Sequence, residues 1–149
     1  VLRTGNKIIG YATLVFDVTK AIVPVIYVKI NNPELIYVTS LCVFLGHVFP
    51  VWLRFKGGKG VATYVGILFS ISILLGTIFI ISWLVVFIIT KYSSLSSIIG
   101  SISIPIYLIF FDQDNNIIFF TIMFVLIFFT HKKNIKRLIN KEESKTKIY

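Results

Sequence analysis

Acidic residues are scarce in this chain. Six Asp and Glu stand against fifteen Lys and Arg, and charged residues make up only 14% of the sequence. Soluble globular proteins carry roughly 25%. Cysteine is nearly absent: Cys42 stands alone, which excludes an internal disulfide and any cysteine metal cluster. Inside its apolar tract it reads as a small core residue. The opening "VLRTGNK" has no charged start leading into an apolar stretch and a small-residue cleavage site, so it does not read as a signal peptide. What the chain has instead is apolar surface. Hydrophobic residues reach 56% and the mean hydropathy is +0.90, against about 45–50% apolar in soluble domains. These values point to an integral membrane protein, in one helical bundle with no room for a separate soluble domain. The formal charge of +9 does not imply nucleic acid, because the basic residues lie between apolar tracts and form no stripe on a polar face.

Apolar tracts run at about 8–30, 35–53, 61–89, 95–111 and 117–130. A bilayer core of about 30 Å takes roughly 20 helical residues. The third tract as one helix would reach roughly 43 Å at about 1.5 Å per residue, too long for an upright span. It therefore either tilts strongly or breaks near Gly76 into two short helices. Charge placement favours the break. Acids and asparagines fill "NNPE" (31–34) and "DQDNN" (112–116), while basic residues fill the start, the loop at 54–59 and the tail after His131. Positive residues mark the cytoplasmic side. With Arg3 inside, six crossings return the basic tail to the cytoplasm and five do not. The expected fold is thus an all-α membrane bundle of about six transmembrane helices. Lys29 is the exception, read as snorkelling from a span end.

In "KGGKGVAT" (56–63), Gly57, Gly58 and Gly60 permit unusual backbone conformations and close approach to a ligand. A helix-forming run follows, so amide groups would converge on one spot suited to an anion, with Lys59 as a point charge for phosphate. The loop is not a Walker A motif: Leu53 stands where that motif needs glycine, and no Ser or Thr follows Lys59. The rival reading is a basic turn that obeys topology rules. His47 and His131 sit at span ends, where interfacial residues are common, and neither is followed by an acid four residues on. In "KYSSLSSI" (91–98), Ser93 or Ser94 could cap a helix, and the small residues suit close helix packing. Asp17 and Lys20, three apart, can pair on one helix face; charges within a span mark function or a structural pair. The tail lysines would attract anionic lipid.

Taken in order, "GHVFPVWLRFKGGKGVAT" (46–63), "KYSSLSSI" and "THKKNIKRLI" (130–139) resemble the bacterial membrane acyltransferases that esterify glycerol 3-phosphate from acyl phosphate, the PlsY family. "VLRTGNK" and "VFDVTKA" (15–21) align with two further patterns of that family, with Ala21 where glycine is usual. The resemblance covers essentially the whole chain, and its middle motif is highly specific. It implies a seven-helix enzyme of the bacterial inner membrane, with active face and C-terminus cytoplasmic. Such an enzyme moves a fatty acyl group from acyl phosphate to the 1-hydroxyl of glycerol 3-phosphate, giving lysophosphatidic acid and phosphate in phospholipid synthesis. It implies no metal and no cofactor, membrane lipids as surroundings, no nucleic acid, and a functional link to the enzyme that makes acyl phosphate. By motif, Arg3 and Lys59 would bind phosphate, with His131 and Asn134 in the catalytic set. Gly57, Gly58 and Gly60 would form the phosphate loop, with His47, Ser94 and Ser97 lining the polar site. The family's first motif, "GSGNxGATN", and its first helix would precede Val1, so residues 1–149 read as a single membrane domain lacking both. Two non-catalytic readings compete: a relic that keeps the fold or binds anionic lipid only, and a small transporter with a phosphate-binding hairpin.

Overall fold

A computed structural model describes residues 7–111 and 116–146, with only the backbone of Lys7. All regular structure in them is helical. The helices are α1 (Lys7–Asn31), α2 (Ile36–Val48), α3 (Val61–Ile71), α4 (Ile73–Thr90), α5 (Ser93–Phe111), α6 (Ile117–Thr130) and α7 (Lys132–Ile139), with 3-10 turns at Pro33–Leu35 and Val51–Leu53. They gather into two compact units, Val1–Gly76 and Thr77–Tyr149.

In the first unit α1 packs on α2 and α3, and α2 on α3. Apolar residues recur all round these helices, so a core face and a lipid face form together. Ala21, Val25, Phe44, Tyr64, Ile67 and Leu68 are buried, while Tyr11, Phe16, Val23 and Tyr27 lie exposed. Such exposure suits hydrocarbon surroundings. The α1–α3 crossing is set by small residues. A Cβ at Gly66 would come within 2.5 Å of the Val18 carbonyl oxygen and 3.1 Å of the Ala21 Cβ. Membrane helices use this approach because lipid provides no hydrophobic drive between them. Ala21 therefore sits at the crossing itself. Cys42, expected in the core, is exposed instead.

The third apolar tract breaks, the option that charge placement favoured, at Ser72, four residues before Gly76. Ser72 adopts an extended conformation (φ −152°, ψ 126°) after α3. Its carbonyl then accepts from Gly76 N at 3.1 Å as α4 begins. Gly76 instead provides room: a Cβ there would press into the Phe69 ring. Ending a helix leaves carbonyls without partners, a costly state away from water. Lys29 supplies them, donating from Nζ to the Ser70 and Ile71 carbonyls, each at 2.9 Å. The amine of Lys29, read from the sequence as snorkelling from a span end, thus caps α3.

In the second unit α5 packs on α6, burying Ile104, Leu108, Phe120, Met123 and Ile127. Gly100 of α5 faces Phe79, whose ring would lie 3.2 Å from an added Cβ. α7 turns 62° from α6 and touches both α5 and α6. Residues 8–31, 33–53, 73–90 and 93–111 are long and apolar enough to cross a membrane, and α6 with α7 forms a bent fifth candidate. At 11 residues, α3 reaches only roughly 16 Å, about half a bilayer core.

Candidate functional site

Among the described residues each unit carries a polar cluster. In the first, α2 delivers His47 to the start of the loop at 49–60, and α1 brings Asp17 and Lys20 against it. Lys20 Nζ donates to Asp17 Oδ1 at 2.5 Å and to His47 Nδ1 at 2.7 Å. His47 Nδ1 lies 3.4 Å from Asp17 Oδ1. The side chains of Lys20, Asp17 and His47 are 30%, 19% and 12% exposed, so the triad is largely withdrawn from water. The i, i+3 pair expected on α1 forms, and it extends to a histidine that sequence spacing does not connect with it.

The loop is folded back onto the end of α2. Arg54 and Phe55 take left-handed conformations (φ 50° and 61°), which reverse the chain after the 3-10 turn. Gly57 N then donates to Val48 O at 3.0 Å and Gly58 N to His47 O at 3.3 Å. A side chain on Gly57 would collide with the His47 carbonyl and with Pro50, and one on Gly58 with the Nε2 edge of the His47 ring. These two amides thus zip the loop to α2, and their glycines let the backbone lie against the imidazole. Gly60 has φ 83° and rests on the Phe44 ring. It opens α3, whose start carries no side-chain cap. The first amides of a helix have no partner within it and favour an anion. Lys59 is exposed beside them. The loop therefore presents its basic residues, a histidine edge and a helix start in one place. Arg3 lies outside the described residues.

In the second unit the cluster is built by the chain that follows α7. Glu142 N donates to Arg137 O at 2.7 Å and Lys141 N to Leu138 O at 3.1 Å, with Lys141 left-handed at φ 60°. This is a Schellman ending, with lysine where glycine is usual. It turns Glu143 back into the protein, where its carboxylate accepts from Ser94 Oγ at 2.8 Å, Asn134 Nδ2 at 2.8 Å and Arg137 Nε at 2.6 Å. Burial alone would raise the Glu143 carboxyl. The three donors and the Arg137 charge overcome that and bring it down to about 2. Thr146 N donates to Lys91 O at 2.9 Å, tying the strap to the start of α5. The Ser94 hydroxyl thus bonds a carboxylate and not the helix end. Ser97 Oγ donates to Ser93 O at 2.8 Å and accepts from Trp83 Nε1 at 3.2 Å. His131 is buried at the α6–α7 bend, with Nδ1 donating to Ile127 O at 2.8 Å.

Of the residues expected from sequence, His47, Gly57, Gly58, Lys59 and Gly60 come together in the first unit. Ser94 and Asn134 meet in the second, on one carboxylate. Glu143 and Arg137 escaped sequence analysis. Their only signal was acids within a basic tail, which a solvated segment would also show.

The family model for glycerol-3-phosphate acyltransferases matches residues 1–141. A glycerol-3-phosphate acyltransferase of Pelagibacter ubique is 69% identical over 148 residues, covering 99% of this chain and 77% of the relative. One from Francisella tularensis subsp. holarctica is 45% identical over 147 residues, with 97% and 72% covered. A crystal structure of PlsY, an integral membrane glycerol 3-phosphate acyltransferase, in its glycerol 3-phosphate form superposes with a TM-score of 0.88 at 30% identity, over 97% of this chain and 74% of that one. Its lysophosphatidic acid form gives 0.85, also at 30% identity, over 95% and 74%.

Proposed function

The chain belongs to the glycerol-3-phosphate acyltransferase family, and from that membership we propose acyl phosphate as its acyl donor and the loop at 54–60 as its phosphate-binding element. The protein is an integral membrane acyltransferase that acts on glycerol 3-phosphate. In the proposed reaction the 1-hydroxyl oxygen attacks the acyl carbonyl. The bond from that carbon to the phosphate oxygen breaks, an ester forms, and the hydroxyl proton leaves with a phosphate oxygen. Acyl phosphate is already activated, so the protein's task is to hold two anions together and to stabilise developing charge.

The observation that carries the reading is the packing of loop and histidine. Gly57 and Gly58 lie against His47 at the uncapped start of α3, with Lys59 beside it. The start of α3 and Lys59 offer donors there, the Gly57 and Gly58 amides being already committed to α2, and the loop brings no acid of its own. The other assignments, from Arg3 at the start of the chain to Ser94, Ser97, His131 and Asn134 in the second unit, are proposed on the resemblance of their motifs. So are a single membrane domain across 1–149, the bacterial inner membrane as location, a cytoplasmic loop at 54–59 and C-terminus, and supply of the donor by an enzyme that makes acyl phosphate. Protein in detergent, given glycerol 3-phosphate with acyl phosphate, acyl-coenzyme A or acyl carrier protein in parallel, tests the donor. Lysophosphatidate with release of inorganic phosphate from acyl phosphate alone is expected. Turnover of a thioester but not of acyl phosphate would overturn the assignment.

A further inference from the structure

We infer that Asp17 and Lys20 are positioning residues that lock His47 in the tautomer carrying its proton on Nε2, so that this edge is a fixed hydrogen-bond donor for a phosphate held at the loop. The inference rests on the proposed phosphate role of the loop and adds the device that prepares its histidine.

An ammonium group only donates hydrogen bonds, and a neutral imidazole has one nitrogen that donates and one that accepts. Lys20 Nζ stands 2.7 Å from His47 Nδ1, a distance at which one partner must offer a lone pair. That partner is Nδ1. The alternative, Nδ1–H donating to Asp17, has 3.4 Å to span, beyond the usual 2.7–3.2 Å range. Asp17 instead engages the amine itself, at 2.5 Å, and holds it aimed at the ring within a largely withdrawn pocket. With Nδ1 occupied as an acceptor, the ring proton sits on Nε2, the atom nearest to where a Gly58 side chain would begin. The backbone holds the ring in place as well, because the His47 carbonyl accepts from Gly58 N. Loop, ring and charged pair therefore form one chain of contacts from α1 to the anion position.

His131 provides an internal contrast. Its Nδ1 faces a carbonyl oxygen, which only accepts, so in the neutral ring Nδ1 carries the proton. The protein has two histidines, and the geometry assigns them opposite tautomers.

The test is nitrogen-15 NMR of full-length protein, histidine-labelled, in lipid nanodiscs, with His47→Gln identifying the signals. Wild-type His47 should show the proton on Nε2 and a bare Nδ1. Lys20→Met should release the lock, giving a mixture or the Nδ1–H form. It should also raise KM for glycerol 3-phosphate or acyl phosphate by roughly tenfold, the scale of one charge-assisted hydrogen bond, with a smaller change in kcat. Lys20→Arg, which retains a pure donor, should restore the tautomer and part of the KM. The wild-type spectrum decides the tautomer even if Lys20→Met fails to fold. A proton on Nδ1 of wild-type His47, or an unchanged tautomer in Lys20→Met, overturns the lock and leaves the phosphate loop to stand on Lys59→Ala. A released tautomer with both KM values unchanged overturns the donor role of His47.

Discussion

Glu143 is held by three donors and sits well below the usual glutamate range, so its contribution to stability has a definite pH signature. A depressed carboxyl stabilises the fold fully above its unfolded value, near 4.5, and loses that contribution as pH falls toward about 2. Glu143→Gln should therefore lower thermal stability at neutral pH by several degrees and flatten the decline between pH 4.5 and 2. Unfolding of both proteins in detergent, followed by circular dichroism across that range, checks this. The proposed phosphate role of Lys59 is tested at the same scale, on substrate. Lys59→Ala should raise KM for phosphate-bearing substrates at least tenfold, the scale of one charge-assisted hydrogen bond. Steady-state kinetics with each substrate varied in turn measures it.

The helices depend on each other at their ends. α3 stops after 11 residues, and its last carbonyls are satisfied by an amine from α1. Lys29→Met should cost about 2–3 kcal/mol, since it strands two acceptors that a charged donor had served. Hydrogen exchange at residues 72–76 should rise with it, and Lys29→Arg should recover most of the loss. α7 ends on a left-handed lysine, a conformation that costs an L residue about 1–2 kcal/mol. Lys141→Gly should accordingly raise stability by about 1 kcal/mol while leaving the Glu143 contacts in place, read from the unfolding midpoint. Sequence reading located these elements better than their ends. The tract at 117–130 coincides with α6, and length and charge together favoured a break in the long third tract. It could not show that the break falls at Ser72, because Ile71 and Ile73 flank that serine and no Gly or Pro marks a stop there. The signal that ends α3 is Lys29, some forty residues away and readable only after folding.

Across the whole chain the legible features were those of composition and local motif: a membrane protein, all helical, with a glycine-rich basic loop. What stayed hidden needed long-range contact. Asp17 and Lys20 read as a pair, but nothing in their spacing names His47 as the third member. Glu143 could as well have belonged to a solvated tail, since a non-glycine Schellman turn leaves no mark in sequence. The net charge of +9 also makes a prediction for the molecule entire. Lys132, Lys133 and Lys136 lie exposed on α7, and each basic residue near an anionic surface contributes about 1 kcal/mol. Nanodiscs containing anionic lipid should raise the unfolding temperature above that in zwitterionic lipid, and 0.5 M salt should remove most of the difference. The amine that closes α3 has a further consequence, in descent. A lineage that replaces Lys29 with an apolar residue leaves a helix end unpaid, and the simplest repair is to continue that helix through position 72. Positions 29 and 72 should therefore co-vary among related sequences: an amine or guanidinium at the first where the second breaks the helix, and a strong helix former at 72 wherever the first has lost its charge.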